Sequence, residues 1–145
     1  MAMSRTGNTL LNSAIAPCGK EGDFRLRLVG QLSALEGHEG RDGHLQARLA
    51  SSQSTKVKGI SLTSLLQERQ YDYFSLDVEG AELSILSNID WGAVAKPRIL
   101  TVEHNWRKED RAKIVKLLEF QGYQERFAGH DWLRRGDIWA TLEER

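Results

Sequence analysis

One stretch constrains this chain more than any other: Tyr71 to Asn88, YDYFSLDVEGAELSILSN, where a strand pattern turns directly into a helical one. Tyr73, Phe74 and Leu76 are strand formers with little charge among them, which predicts a strand covered on both faces and internal to a parallel sheet. Gly80 breaks that pattern, and Glu82, Ile85, Leu86 and Ile89 then recur at i, i+3, i+4 and i+7, one stripe of a helix. Asp77, Glu79 and Glu82 gather at the junction. Glu82 is the one carboxylate on an aliphatic stripe, facing the space beyond the carboxyl end of the strand, where open α/β sheets bind ligands.

Two readings of these acids stand side by side. Acidic residues in the first turn of a helix are favoured by the macrodipole and by unsatisfied N–H groups, so the three could be caps. Clustered acids also mark reactive sites. A second segment bears on the choice. Pro97 to Asn105, PRILTVEHN, is another apolar strand that ends in Glu103, His104 and Asn105. Two neighbouring parallel strands would then deliver polar groups to the same sheet edge.

The phrase DYFSLDVEGAELSIL, followed about two dozen residues later by ILTVEHN and then by a helix ending in GY, resembles the C-terminal part of the FkbM family of methyltransferases. A D-x-E-G-A-E core on a strand-to-helix turn with V-E-H-N downstream is far more specific than a lone glycine motif. The resemblance implies an α/β fold with the Rossmann-like sheet of class I S-adenosylmethionine (SAM) enzymes, closed by a C-terminal antiparallel strand pair. It implies SAM as cofactor and a hydroxyl of a sugar or other small natural product as methyl acceptor. On this reading residues 1–145 form a single partial domain, shortened at its amino end, because no G-x-G loop occurs anywhere in the chain. In a class I enzyme that loop lets backbone approach the cofactor.

The resemblance also distributes roles. Asp77, Glu79, Glu82, Glu103 and His104 become the catalytic candidates, Asn12, Ala14 and Asp77 the cofactor-binding ones, and Asn105 a substrate contact. The acceptor proton needs a destination, and His104 is a candidate base because an ordinary imidazole titrates near neutral pH. Alternatively Asp77, Glu103 and His104 hold a divalent cation, Mg or Mn, that lowers the pKa of the acceptor hydroxyl. A different class of function stays open as well: a noncatalytic remnant or interaction module that keeps the C-terminal half of the fold. The strand carrying Asp77 would then be an exposed apolar edge, a surface for pairing with a second copy. A metal-dependent phosphodiester hydrolase is a third reading, resting on the clustered acids alone.

Elsewhere the chain is less specific. Thr9 to Ala16 reads as a short strand, and residues 1–8 as a frayed, disordered end. The span 17–54 is a glycine-rich excursion and loop around one half-exposed strand at Asp23 to Val29, with His38 and His44 in no dependable metal spacing. Thr55 to Ile60 reads as an edge-like strand, and Ser61 can cap a helix reaching Arg69. Lys108 to Gln121 is an amphipathic helix stopped by Gly122, and Tyr123 to Phe127 with Asp137 to Leu142 form the closing pair around a loop holding His130, Asp131 and Trp132. The 145 residues carry 20 basic and 20 acidic side chains and no formal net charge, which argues against electrostatic binding to nucleic acid or an anionic membrane. Cys18 is the single cysteine, so no internal disulfide forms and a reducing cytoplasm is the expected setting. No apolar run approaches the roughly 20 residues that span a bilayer.

Overall fold

Parallel strands need a crossover between them, and the stretch from Tyr71 to Glu103 supplies one. In this computed structural model, which describes residues 11–30, 33–38, 52–67, 70–104, 108–126 and 137–143, β5 (Tyr73–Leu76) runs parallel to β6 (Ile99–Glu103), with Leu76 beside Val102. Between them lies a short helix, α2 (Glu82–Ser87). The sheet continues antiparallel through β8 (Asp137–Leu142) to β7 (Tyr123–Arg126), in the order β5-β6-β8-β7. The expected closing pair is thus present, with β8 inserted between β6 and β7.

One face of this sheet is covered. Leu76, Leu100, Val102, Ile138 and Ala140 are buried against α1 (Leu62–Gln67), α2 and α3 (Lys108–Phe120), which contribute Leu62, Leu66, Ile85, Leu86, Ile114 and Leu118. The four positions of the stripe read from the sequence, Glu82, Ile85, Leu86 and Ile89, are all buried, although α2 ends at Ser87 and Ile89 lies beyond it. Burying each such aliphatic side chain is worth roughly 1.5–3 kcal/mol against leaving it in water. On the other face Tyr73 and Ile99 are 52% and 39% exposed. There the Tyr73 and Thr101 hydroxyls are hydrogen bonded at 2.8 Å, and Thr101 donates to Ser75 at 3.0 Å. Gly122, at φ +89°, ends α3, and Tyr123 then donates its hydroxyl to the Pro97 carbonyl at 2.8 Å.

The remaining strands make a second sheet in the order β1-β4-β2-β3: β1 (Ala14–Ile15), β4 (Ser54–Ile60), β2 (Gly22–Arg27) and β3 (Ala34–Leu35). β2 and β4 pair antiparallel from Gly22↔Gly59 to Arg27↔Ser54. β1 joins β4 in parallel at Gly59 and Ile60, and β3 joins β2 antiparallel.

Several expectations change here. Among the described residues the strands form two four-stranded mixed sheets rather than a single Rossmann-like one, and their strand order is not Rossmann-like. β1 and β5 each terminate their own sheet, so no described strand joins one sheet to the other by backbone hydrogen bonds. β5 is accordingly a terminal strand rather than an internal one, covered by the helices on one face only. β4 is internal rather than edge-like, because β1 and β2 occupy both of its sides. Its Lys56 and Lys58 project from an exposed sheet face, where Lys58 meets Asp23 at 2.7 Å. The strand expected over Thr9 to Ala16 reduces to Ala14–Ile15 in the ladder, with Thr9 and Leu10 outside the described residues. His44, Asn105, His130, Asp131 and Trp132 also lie outside them. Among the described residues no helix is long and apolar enough to cross a membrane.

A polar joint ties the two sheets together. The Pro17 carbonyl accepts from the Ser84 hydroxyl at 3.1 Å and from the Asn88 amide at 3.0 Å, which ties the segment after β1 to α2. Gly19 sits at φ +68° beside this joint, and a Cβ there would lie 2.8 Å from the Asn88 carbonyl oxygen.

The second sheet depends on a different close approach. A Cβ at Gly59 would meet the Phe24 ring at 2.3 Å, whereas its ladder partner Gly22 has open space around it. Gly59→Ala is expected to lower unfolding stability by about 1–3 kcal/mol through overpacking, and Gly22→Ala to leave it within about 0.5 kcal/mol, both measured by urea denaturation. Equal losses in the two variants would show that Phe24 does not pack on Gly59.

Candidate functional site

The register of β5 against β6 assembles the site. Leu76 lies beside Val102, so the next residues, Asp77 and Glu103, emerge together at the carboxyl ends of two adjacent parallel strands. Neither strand alone makes a cluster. The chain then turns sharply: Glu79 has φ +58°, the sole left-handed non-glycine among the described residues, and Gly80 follows at φ +120°. A left-handed L-residue costs roughly 1–2 kcal/mol, so something must hold Glu79 there.

That holder is Glu82, in the first turn of α2 and only 3% exposed. Its Oε1 accepts the Val78 N–H at 3.0 Å and the Gly80 N–H at 3.1 Å, and its Oε2 lies 3.1 Å from the same Gly80 nitrogen. Ala81, at the helix N-cap, makes no side-chain cap of its own. Of the two readings of the acids, Glu82 therefore satisfies a form of capping, directed backward onto the turn. Asp77 and Glu79 make no such backbone contact in the described hydrogen bonds, and Asp77 is exposed.

The electrostatics are those of crowded carboxylates. Burial, a hydrogen bond shared with Asp77 and the negative charges of Asp77, Glu79 and Glu82 push the Glu103 carboxyl up to about 8. Burial, then Asp77 and Glu82, also raise Glu79. The Glu103 Oε2 atom is buried with no hydrogen-bond partner among the described residues. Asp137 stands opposite Glu103 across the β6–β8 ladder, a further acid at this edge that the strand pattern of DIWATL did not single out. It belongs to the site only through antiparallel pairing, which leaves no local signal in the sequence.

Asp77, Glu82 and Glu103 each bring one carboxylate oxygen within 4.8 Å of the others, a spacing that suits a divalent cation with oxygen ligands. This set holds Glu82 where the sequence reading placed His104. His104 follows Glu103 directly but is buried, at 5% exposure.

Val78 and Ala81 of this turn also line a cavity of about 340 Å³. Asn12 and Ala14, the expected cofactor contacts, line it together with Ser13 and Ile15, and the second sheet contributes Leu26, Leu35 and Val57. Its size falls in the roughly 300–1,000 Å³ range of small-molecule sites. Its walls are mostly apolar with a few polar groups. A larger hollow of about 760 Å³ lies at the opposite ends of β5 and β6, bounded by Asp72, Arg98, Arg126 and Glu143. Neither hollow has the clustered acids in its walls; the smaller one borders the Val78–Ala81 turn that carries Glu79, whereas Arg126 in the larger one is engaged with Thr141 at 2.7 Å.

Comparison with known proteins gives one match, the family model described as methyltransferase FkbM domain, over residues 3–125. No curated protein and no solved structure matches the chain.

The crowding fixes the sign of a pH dependence. Glu103 in the folded chain binds its proton more tightly than at its usual value of 4.5. Its contribution to stability is therefore complete below about pH 4.5 and is lost as pH rises through about 8. Glu79 adds in the same direction. Thermal unfolding followed from pH 5 to pH 9 is expected to show a falling midpoint, and Glu103→Gln to flatten that fall and exceed the unsubstituted chain at the alkaline end. A midpoint rising across the range, or an unchanged slope in the variant, would place Glu103 outside the cluster.

Proposed function

This chain belongs to the methyltransferase FkbM family, and from that premise we propose that it catalyses SAM-dependent methylation of a hydroxyl on a small neutral acceptor such as a sugar. The observation that carries the reading is the placing of Asp77 and Glu103 side by side at the carboxyl edge of β5 and β6, one turn away from a mostly apolar cavity lined by Asn12 and Ala14. That arrangement supports a cofactor on one side of the Val78–Ala81 turn and an acceptor on the other.

When bound, SAM supplies an electrophilic methyl group on a cationic sulfur. Everything else falls to the chain. The cavity holds the adenosyl part by apolar contact, with Asn12 and Ser13 offering polar contacts at its rim. Asp77 would place negative charge toward a bound cationic sulfur. Glu103, in its deprotonated form, would take the acceptor hydroxyl proton as the oxygen–methyl bond forms and the methyl–sulfur bond breaks, the neutral thioether leaving. A carboxyl that titrates at about 8 is a competent base close to neutral pH, since proton transfer is most efficient when the base matches the operating pH. His104, directly after Glu103, is the runner-up for this task. Placing the two reactants in line contributes more than the base does, because alignment can supply roughly 7–11 kcal/mol of a barrier.

A second reading is favoured by one distance. The oxygens of Asp77, Glu82 and Glu103 lie within 4.8 Å of one another, so Mg or Mn bound there would hold the acceptor oxygen and acidify it.

Calorimetric titration of the folded chain with SAM tests the main reading. Micromolar binding that Asp77→Asn weakens is the expected result, and transfer to a polyol acceptor should fall roughly 10²–10⁴-fold in Glu103→Gln. A folded chain that binds no SAM would overturn the assignment in favour of a noncatalytic module. The cation has its own readout. Mg or Mn must displace the Glu103 proton, so a midpoint increase larger at pH 8.5 than at pH 6 supports it, and no increase at either pH excludes it.

A further inference from the structure

Four acids were candidates for one kind of work, yet the structure separates one of them from the rest. We infer that Glu82 is a positioning residue: its carboxylate clamps the Val78–Gly80 turn and so aims Asp77 and Glu79 at Glu103. This rests on the reading that the acidic edge is where transfer occurs, although its structural core stands without it.

Two N–H groups, one on each side of Glu79, converge on the single Glu82 carboxylate at 3.0 and 3.1 Å. Convergence of alternate amides on one anion requires the residue between them to leave the ordinary region of backbone space, as in the concave anion-binding nests of turns. Glu79 meets that requirement at φ +58° without being glycine. Gly80, at φ +120°, completes the turn in a region that side chains avoid. The clamp is shielded from water, since Glu82 is 3% exposed. If the carboxylate were removed, two part-buried donors would lose their acceptor, and its hold on Glu79 at positive φ would go with it. A return to negative φ would swing the Glu79 side chain away from Asp77 and Glu103. Glutamine, by contrast, keeps an oxygen where Oε1 now takes both N–H groups.

The test begins with the unsubstituted chain. Its Val78 and Gly80 amides belong to no helix or strand ladder, yet they should be protected from hydrogen exchange, and the Glu79 backbone chemical shifts should report the left-handed conformation. Rapid exchange at both amides would overturn the inference without any variant. In Glu82→Ala, protection at the two amides is expected to fall roughly tenfold or more, and the left-handed signature of Glu79 to disappear while shifts in α3 stay in place. Glu82→Gln should retain the signature. If Glu82→Ala does not fold, amide exchange in the unsubstituted chain still decides, because rapid exchange at Val78 and Gly80 would overturn the clamp. Glu79→Gly introduced into Glu82→Ala should leave protection low, since glycine accepts positive φ freely but supplies no acceptor for the two amides.

The functional arm is SAM affinity. Glu82→Gln should bind as the unsubstituted chain does, and Glu82→Ala more weakly, whereas the exposed-site variant Phe120→Ala should not change binding. Unchanged affinity in a folded Glu82→Ala that has lost the Glu79 signature would refute the positioning role. If the unsubstituted chain binds no SAM, the proposed reaction fails while the amide and chemical-shift results still judge the clamp.

Discussion

The parallel pairing of β5 with β6 is the constraint on which the rest depends. It requires a crossover, and α2 provides it with a stripe that buries Ile85 and Leu86. It fixes a register, and that register puts Asp77 next to Glu103. A slip of one residue would turn every side chain of β5 to the opposite face. Leu76 would leave the core and Asp77 would enter it, so the aliphatic packing that stabilises the sheet also enforces the geometry of the acids.

The acidic edge is an electrostatic burden that the fold carries in a specific way. Mutual repulsion and burial push Glu103 up to about 8, which opposes the ionised folded state at neutral and alkaline pH. Stability and chemistry pull against each other here, because the group best suited to take a proton near neutrality is also one that the native state prefers to keep protonated. Glu82 escapes the conflict differently. Two backbone N–H groups meet its carboxylate, and the same contacts hold the strained turn that presents its neighbours.

Parts of this were readable in advance. The DVEGAE turn, the helical stripe, the Gly122 stop and the closing antiparallel pair are all local patterns, and all are present. The family resemblance also held, with the FkbM domain matched over residues 3–125. The misreadings have a common cause. β4 looks like an edge because its charges face water, but alternation along a strand reports which face is wet, not which side is paired. β5 looks doubly covered because Tyr73 and Phe74 are apolar, yet hydropathy does not say whether a second layer exists. The acid set is a separate matter: Glu82, 22 positions before His104 in the chain, lies with Asp77 and Glu103, a grouping that no local pattern reports.

By itself the sequence determined the local elements and the family, because periodicity, turn residues and motif spacing act over a few neighbouring positions. Only the tertiary structure decided which strands pair, that two sheets form, and which acids share a proton. Those outcomes depend on contacts between residues far apart in the chain, such as Glu103 with Asp77 and Pro17 with Asn88. The energy of such contacts is set by distance and burial in the folded state, and neither quantity is written in the order of the residues.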